Sequence, residues 1–290
     1  MKETNGQKVF RVINAIILVL VVAITLFPFL NIVAQSFSST GAITAGKVGL
    51  IPNGFNIRTY QVVMSDKTFW INYWNTLLYT VVGTAISVAL TTMYAYVISK
   101  PQLKGVKIFT TLAVFTMFFS GGMIPTYLLV KQLHMINTMW AVILPGALSV
   151  YNMLIMKAFF QNLPVSLEEA AEIDGLDTFG ILWKIVLPLS KPIIATMILF
   201  YAVANWNAWF GAFLYLDKKE LFPVTIYLRN LMAGATSGSS ASDMSADSQQ
   251  QVNANIKAVT MVLTVLPILC VYPFVQKYFV TGIMLGSVKE

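Results

Sequence analysis

Pro164-Val165-Ser166-Leu167-Glu168-Glu169-Ala170-Ala171-Glu172-Ile173-Asp174-Gly175-Leu176-Asp177-Thr178-Phe179-Gly180-Ile181-Leu182-Trp183-Lys184-Ile185-Val186-Leu187-Pro188 is unlike the rest of this chain. Five of the twelve acids in the whole sequence fall between Glu168 and Asp177. Ser166 and Glu169 have the spacing of a capping box, in which a serine and a glutamate three residues on satisfy each other's backbone amides. A helix is therefore expected from Ser166, with Leu167, Ala170 and Ala171 on one face. Gly175 suits the left-handed geometry that ends a helix, and Asp177 suits the cap of a second. Phe179, Leu182, Trp183 and Val186 give that second helix an apolar stripe, which Pro188 is expected to stop. The two alanines offer a surface that another protein can approach closely.

Outward from this segment the charges vanish. Six charge-free runs cover Val12–Gly46, Thr68–Ser99, Ile108–Val130, Gln132–Met156, Pro192–Leu216 and Ala258–Gln276. Each has room for the roughly 20 residues with which a helix crosses a bilayer core. Of the 290 residues 57% are apolar and 11% charged, and the mean hydropathy is +0.72. A soluble domain carries roughly 25% charged residues, so a soluble enzyme is excluded. The expected fold is all-α, a single polytopic membrane domain over 1–290 with six transmembrane helices. No space remains for a fused catalytic domain.

The basic residues stand in ones and threes beside the runs, where they orient a membrane protein; nucleic acid is not an expected partner. With both termini cytoplasmic, eleven Lys and Arg lie inside and eight outside, and the Lys100–Lys107 turn has three bases and no acid. The N-terminal run is longer than a signal-peptide core, so a retained span is expected. Two outer loops follow, Phe37–Ile71 and Asp217–Lys257. The second carries a polar tract, Ala233–Asn255, that cannot fold alone. It is either a linker or a flap that orders against an external partner. Cys270 and His134 are the only cysteine and histidine, too few for a disulfide or a common zinc site.

Glu169-Ala170-Ala171, three residues, Gly175, nine residues, Ile185, one residue and Leu187-Pro188 match the EAA loop motif of permease subunits in ABC importers served by a substrate-binding protein. Asp174 and the stretch Leu187–Pro192 resemble the carbohydrate branch, as do Gln276–Val280 and Gly282–Lys289. The chain is similar there to the smaller permease of the maltose importer and to permeases for alginate or pectin oligosaccharides. Thr281 departs from the branch, where a base is usual.

The resemblance covers a permease core over 72–280 and implies a type I importer half-channel in a bacterial plasma membrane. It also implies partners: a second homologous permease subunit, two ABC ATPase subunits and an extracytoplasmic sugar-binding protein. ATP and magnesium would belong to the ATPases, and this chain would hold no cofactor and no metal. Segment 164–188 would be the coupling helix region, with Glu169, Ala170, Ala171, Asp174, Gly175, Leu187 and Pro188 forming the joint to the ATPase. The outer loop 217–257 would enter the binding protein. Oligosaccharides are the implied solute. A permease for peptides or polyamines, or an ion-coupled carrier, is the alternative.

Rival chemistries find little support. Gly41–Val48 approaches a phosphate loop, but Val48 replaces the hydroxyl that must hold magnesium. An ion-driven carrier needs a protonatable group within the membrane, and no run contains Asp, Glu, Lys or Arg. An intramembrane hydrolase lacks an acid–base pair. A sugar path should be uncharged and hydroxyl-seeking. Tyr201, Asn205 and Trp209 recur every four residues in the fifth run, either lining a cavity or binding helices together. Asn75 and Asn152 have weaker claims, and Trp70, Trp74 and Trp140 suit the membrane interface.

Overall fold

The computed structural model describes residues 4–237 and 255–270. Most of the polar tract Ala233–Asn255, the end of the sixth run and the ending Gln276–Lys289 lie outside the described residues. The helices, in chain order, are α1 (Asn5–Ser36), α2 (Thr40–Thr44), α3 (Arg58–Ser65), α4 (Lys67–Ser99), α5 (Val106–Phe118), α6 (Met123–Gln132), α7 (Met139–Ile143), α8 (Val150–Gln161), α9 (Val165–Ile173), α10 (Thr178–Ile181), α11 (Leu187–Leu189), α12 (Lys191–Asn207), α13 (Phe210–Tyr215), α14 (Val224–Ser237) and α15 (Asn255–Cys270). No strand occurs among the described residues.

These helices accommodate six spans, but among the described residues only α1 and α4 are single helices long and apolar enough to cross a membrane. Elsewhere the runs are broken. α5 and α6 meet at 114°, where Gly121 and Gly122 interrupt the apolar sequence and Gly122 takes φ 89°. α7, extended to Gly146 by a 3₁₀ turn through Pro145, meets α8 at 52°. The helical stretch Thr178–Leu189 meets α12 at 84°. Glycine and proline lower the cost of leaving the helix at each break. α15 is a shorter apolar helix over Asn255–Cys270.

The chain divides into two compact units. One comprises Met1–Phe69 and Tyr227–Leu266. From Val9 to Leu30 its α1 exposes nearly every large apolar side chain, as expected of a helix whose solvent is lipid. Beyond α1 the backbone is tied down by polar contacts. Ser38 Oγ donates to Ala34 O at 2.6 Å and accepts from the Asn53 amide at 3.0 Å. Buried Asn255 donates to Ser38 O and accepts from Thr40 Oγ1, fixing the start of α15. Tyr60 donates to Ser36 Oγ, and burial raises its pKa against the lowering effect of that hydrogen bond. Asp66 Oδ1 accepts from the Thr68 amide at 2.8 Å, a cap at the entry to α4.

The other unit comprises Trp70–Ile226 and Pro267–Glu290. Most of α4 belongs to it and contributes to two of its apolar cores. Near the start of α4, Tyr79 packs with Ile143, Ala212, Leu216 and Ile226. Asn75 and Tyr79 donate there to the carbonyls of Glu220 and Leu221, and the Val224 amide donates to Thr76 Oγ1. At its far end, Ala95, Tyr96 and Ile98 join Met153, Met156 and Phe160 of α8 and Met197 of α12 in the larger core. That core also receives Ala171, Ile181, Leu182 and Val186, which anchors the segment quoted above to the helix bundle.

Candidate coupling site and membrane path

Helix α9 starts one residue earlier than the serine pattern suggests. Pro164, extended at φ −61° and ψ 120°, is the residue before it, and no side chain caps the first turn. Proline's fixed φ suits it to the entry of a helix, so Ser166 and Glu169 both fall inside α9 and the expected capping box does not form. The other end follows the sequence closely. Gly175 takes φ 82°; its amide donates to Glu172 O, and the Leu176 amide donates to Ala171 O, both at 3.0 Å. These crossed bonds satisfy carbonyls that the helix end would leave open. Asp177 Oδ1 then accepts from the Gly180 amide at 2.9 Å and caps α10.

The two faces of α9 do different things. Ala171 is 4% exposed and packs into the larger core, so only Ala170 is left on the surface. Glu169 and Glu172 also point outward, and so does Ile173, which is 87% exposed. An apolar side chain this exposed beside two acids fits a surface completed by another protein. Glu168 turns the other way. It forms an ion pair with Lys100, whose ammonium also lies 4.7 Å from the centre of the Tyr96 ring. Sequence pattern alone singled out neither Glu168 nor Ile173 nor Lys100.

The stripe after α10 is split by a change of winding. Residues Leu182–Val186 form a π-helical turn; Leu182 and Val186 are buried in it, while Phe179 and Trp183 stay exposed. Pro188 does not stop the helix, as expected from sequence, but sits in the first turn of α11. The wider turn before it absorbs the missing amide and the clash of the ring. The true break is Ser190, fully buried, whose amide donates to the carbonyls of both Val186 and Leu187. Leu187 is half-buried and Pro188 is exposed, two residues before the 84° bend.

Tyr201, Asn205 and Trp209 do not share one helix. α12 ends at Asn207, Ala208 is extended, and Trp209 precedes α13 and packs edge-on against Phe210. Tyr201 is buried. Its hydroxyl lies 2.6 Å from Thr91 Oγ1 and accepts from the Ser149 amide at 3.1 Å, joining α12 to α4 and to the start of α8. Asn205 Nδ2 donates to Thr84 Oγ1 at 3.4 Å, against Gly83 of α4. A methyl group on Gly83 would come within 3.0 Å of that nitrogen. Beside these ties an apolar cavity of about 580 Å³ is lined by α4, α12 and the 179–187 segment, with Thr80, Thr84 and Thr92 as its hydroxyl-bearing residues. The Thr80 hydroxyl is buried without a hydrogen-bond partner. Among the described residues no cluster of three metal-ligating side chains occurs.

An all-helical membrane bundle with a capped, outward-facing elbow after its fourth run defines an importer permease. The chain belongs to the family described as binding-protein-dependent transport system inner membrane component, whose model matches residues 103–284. Its fold is that of a type I ABC importer permease. It is 42% identical over 291 residues to Protein LplC of Bacillus subtilis, covering 100% of this chain and 98% of that one. It is also 42% identical over 268 residues to the polygalacturonan/rhamnogalacturonan transport system permease protein YtcP of the same organism, covering 92% and 93%. Among solved structures, a bacterial ABC transporter involved in the import of the acidic polysaccharide alginate contains a chain that matches with a TM-score of 0.86 and 31% identity, over 96% of this chain and 99% of that one.

Proposed function

We propose that this chain forms half of the translocation pathway of an ATP-driven importer of oligosaccharides. The observation that carries the reading is the α9–Gly175–Asp177 elbow, hydrogen-bonded on both sides of its turn and anchored inward through Ala171, while it presents Glu169, Ala170 and Ile173 outward. Such a surface suits a cleft on an ATPase subunit. Glu169 supplies charge, Ala170 permits close approach, and Ile173 supplies an apolar anchor. Asp174 and Gly175 set the turn, and Leu187 and Pro188 carry the motion towards α12.

In this assembly a second homologous permease completes the channel, two ABC ATPases bind and hydrolyse ATP with magnesium, and an extracytoplasmic binding protein delivers the sugar. The chain sits in a bacterial plasma membrane with both termini cytoplasmic, an orientation that the Lys100–Lys107 turn favours. The polysaccharides named for the 42% identical permease and for the alginate transporter support oligosaccharides as the solute over peptides or polyamines. Tyr201 and Asn205 hold helices together in this reading, and the threonine-lined cavity is the better candidate for the uncharged path.

The test is to purify the chain with its partners in lipid discs and load the binding protein with candidate solutes. Oligogalacturonides or related oligosaccharides are expected to stimulate ATP hydrolysis several-fold. Stimulation by peptides or polyamines but by no oligosaccharide would overturn the assignment.

A further inference from the structure

A second cavity, of about 440 Å³, takes none of its lining from segment 164–188 and lies among the end of α4, the turn that follows it, the start of α5 and the end of α8. Lys107, Lys157 and Gln161 line it, and no carboxylate does. Among the described residues neither lysine has an acidic partner, whereas Lys100 in the same turn is taken by Glu168. Thr110 and Thr111 add hydroxyl-bearing residues, and the Thr110 oxygen is buried in the wall without a hydrogen-bond partner. Buried polar atoms are rarely left unpaired.

The depth of this cavity follows from the sequence. Lys107 immediately precedes the charge-free run that begins at Ile108, and Lys157 immediately follows the run that ends at Met156. Both ammonium groups therefore stand where the hydrocarbon layer gives way to headgroups. Ile98, Pro101 and Val106 supply apolar parts of the same lining. Cations together with apolar wall at the membrane boundary suit an anionic lipid headgroup.

We propose that this cavity is a binding site for the phosphate of an anionic phospholipid such as phosphatidylglycerol, held by Lys107 and Lys157. The site is independent of which solute is carried. A basic residue near the headgroup layer strengthens attraction to an anionic lipid about fivefold, so two lysines lining one cavity give about 25-fold over a zwitterionic lipid.

The experiment uses the transporter assembled with its partners in phosphatidylcholine discs doped with a minor fraction of spin-labelled phosphatidylglycerol, and the immobilised label is measured. The wild type is expected to hold phosphatidylglycerol in preference to phosphatidylcholine. The paired change Lys107→Gln with Lys157→Gln should lower that preference about 25-fold, and Lys107→Arg with Lys157→Arg should keep it. Lys104→Gln, in the same turn but outside the cavity lining, should change it little. Equal retention by the Gln pair and the wild type would overturn the proposal. An equal loss with Lys104→Gln would also do so, because surface charge would then be responsible. Displacement of the label by inorganic phosphate would point to a free anion and against a lipid.

Discussion

Lys100, just past the C-terminal end of α4, is paired with Glu168 of α9, so α9 is joined to a membrane-crossing helix by charge as well as by apolar packing. Both side chains are largely sheltered, at 18% and 15% exposure, and the lysine also complements the negative end of the α4 dipole. Under the coupling role proposed for α9, the pair lies between the elbow and α4. Lys100→Glu or Glu168→Lys alone should leave like charges together and uncouple ATP hydrolysis from uptake. The double exchange should restore much of the coupling, with an interaction energy of about 1–3 kcal/mol in a double-mutant cycle. Stability of the assembled complex and uptake in proteoliposomes are the two readouts; full uptake by both single variants would remove the pair from the coupling role.

Gly175 is required by its backbone and not by crowding. Its φ of 82° is left-handed, yet an added Cβ would meet nothing within 4 Å. Gly175→Ala should therefore cost about 1–2 kcal/mol through strain alone, and Gly175→Asn should cost less, since asparagine tolerates this region better. Glu169→Lys, on the exposed face, should leave the fold intact and reduce ATPase docking. Thermal unfolding separates the first effect, and copurification of the ATPase with the chain reports the second.

What was legible before the structure is what chemistry fixes locally. Gly175 and Asp177 act on amides within three or four residues, and their roles follow from residue type. The charge-free runs likewise gave the helical class and the spans. The Lys100–Glu168 pair joins positions 68 residues apart, and no local rule links them. Ser166 misled because Pro164 already supplied a helix entry. The four-residue spacing of Tyr201, Asn205 and Trp209 misled because it assumed an unbroken helix, whereas α12 ends at Asn207. The π turn at Leu182–Val186 has no periodicity that a 3.6-residue template can detect, although Pro188 four residues after Lys184 was a signal that regular winding must fail there.

Tyr201 tests whether the polar groups of α12 bind solute or helices. Its hydroxyl accepts from the Ser149 amide and pairs with Thr91; Tyr201→Phe leaves a sheltered amide without that partner. A loss of about 1–3 kcal/mol in stability is expected, with little change in which oligosaccharide stimulates hydrolysis. A changed solute preference at unchanged stability would make Tyr201 part of the path instead.

Tyr227 and Asp66 predict an alkaline limit. The Tyr227 hydroxyl donates to Asp66 Oδ2 at 2.7 Å, while Oδ1 of the same carboxylate accepts from the Thr68 amide at the start of α4. Desolvation first, and the Asp66 carboxylate second, raise the Tyr227 pKa well above its ordinary value of 10.0. The folded form thus holds the proton more tightly than the unfolded chain does. Its contribution is fully present below pH 10 and declines as pH rises from there towards the folded pKa. Tyr227→Phe should lower stability by about 1–2 kcal/mol at neutral pH, because Asp66 loses one donor. The variant should also lose the part of the alkaline decline that this hydroxyl supplies. Unfolding temperatures of both proteins from pH 7 to pH 11 should therefore converge at the alkaline end; curves that stay parallel would show that the Tyr227 proton is not linked to folding.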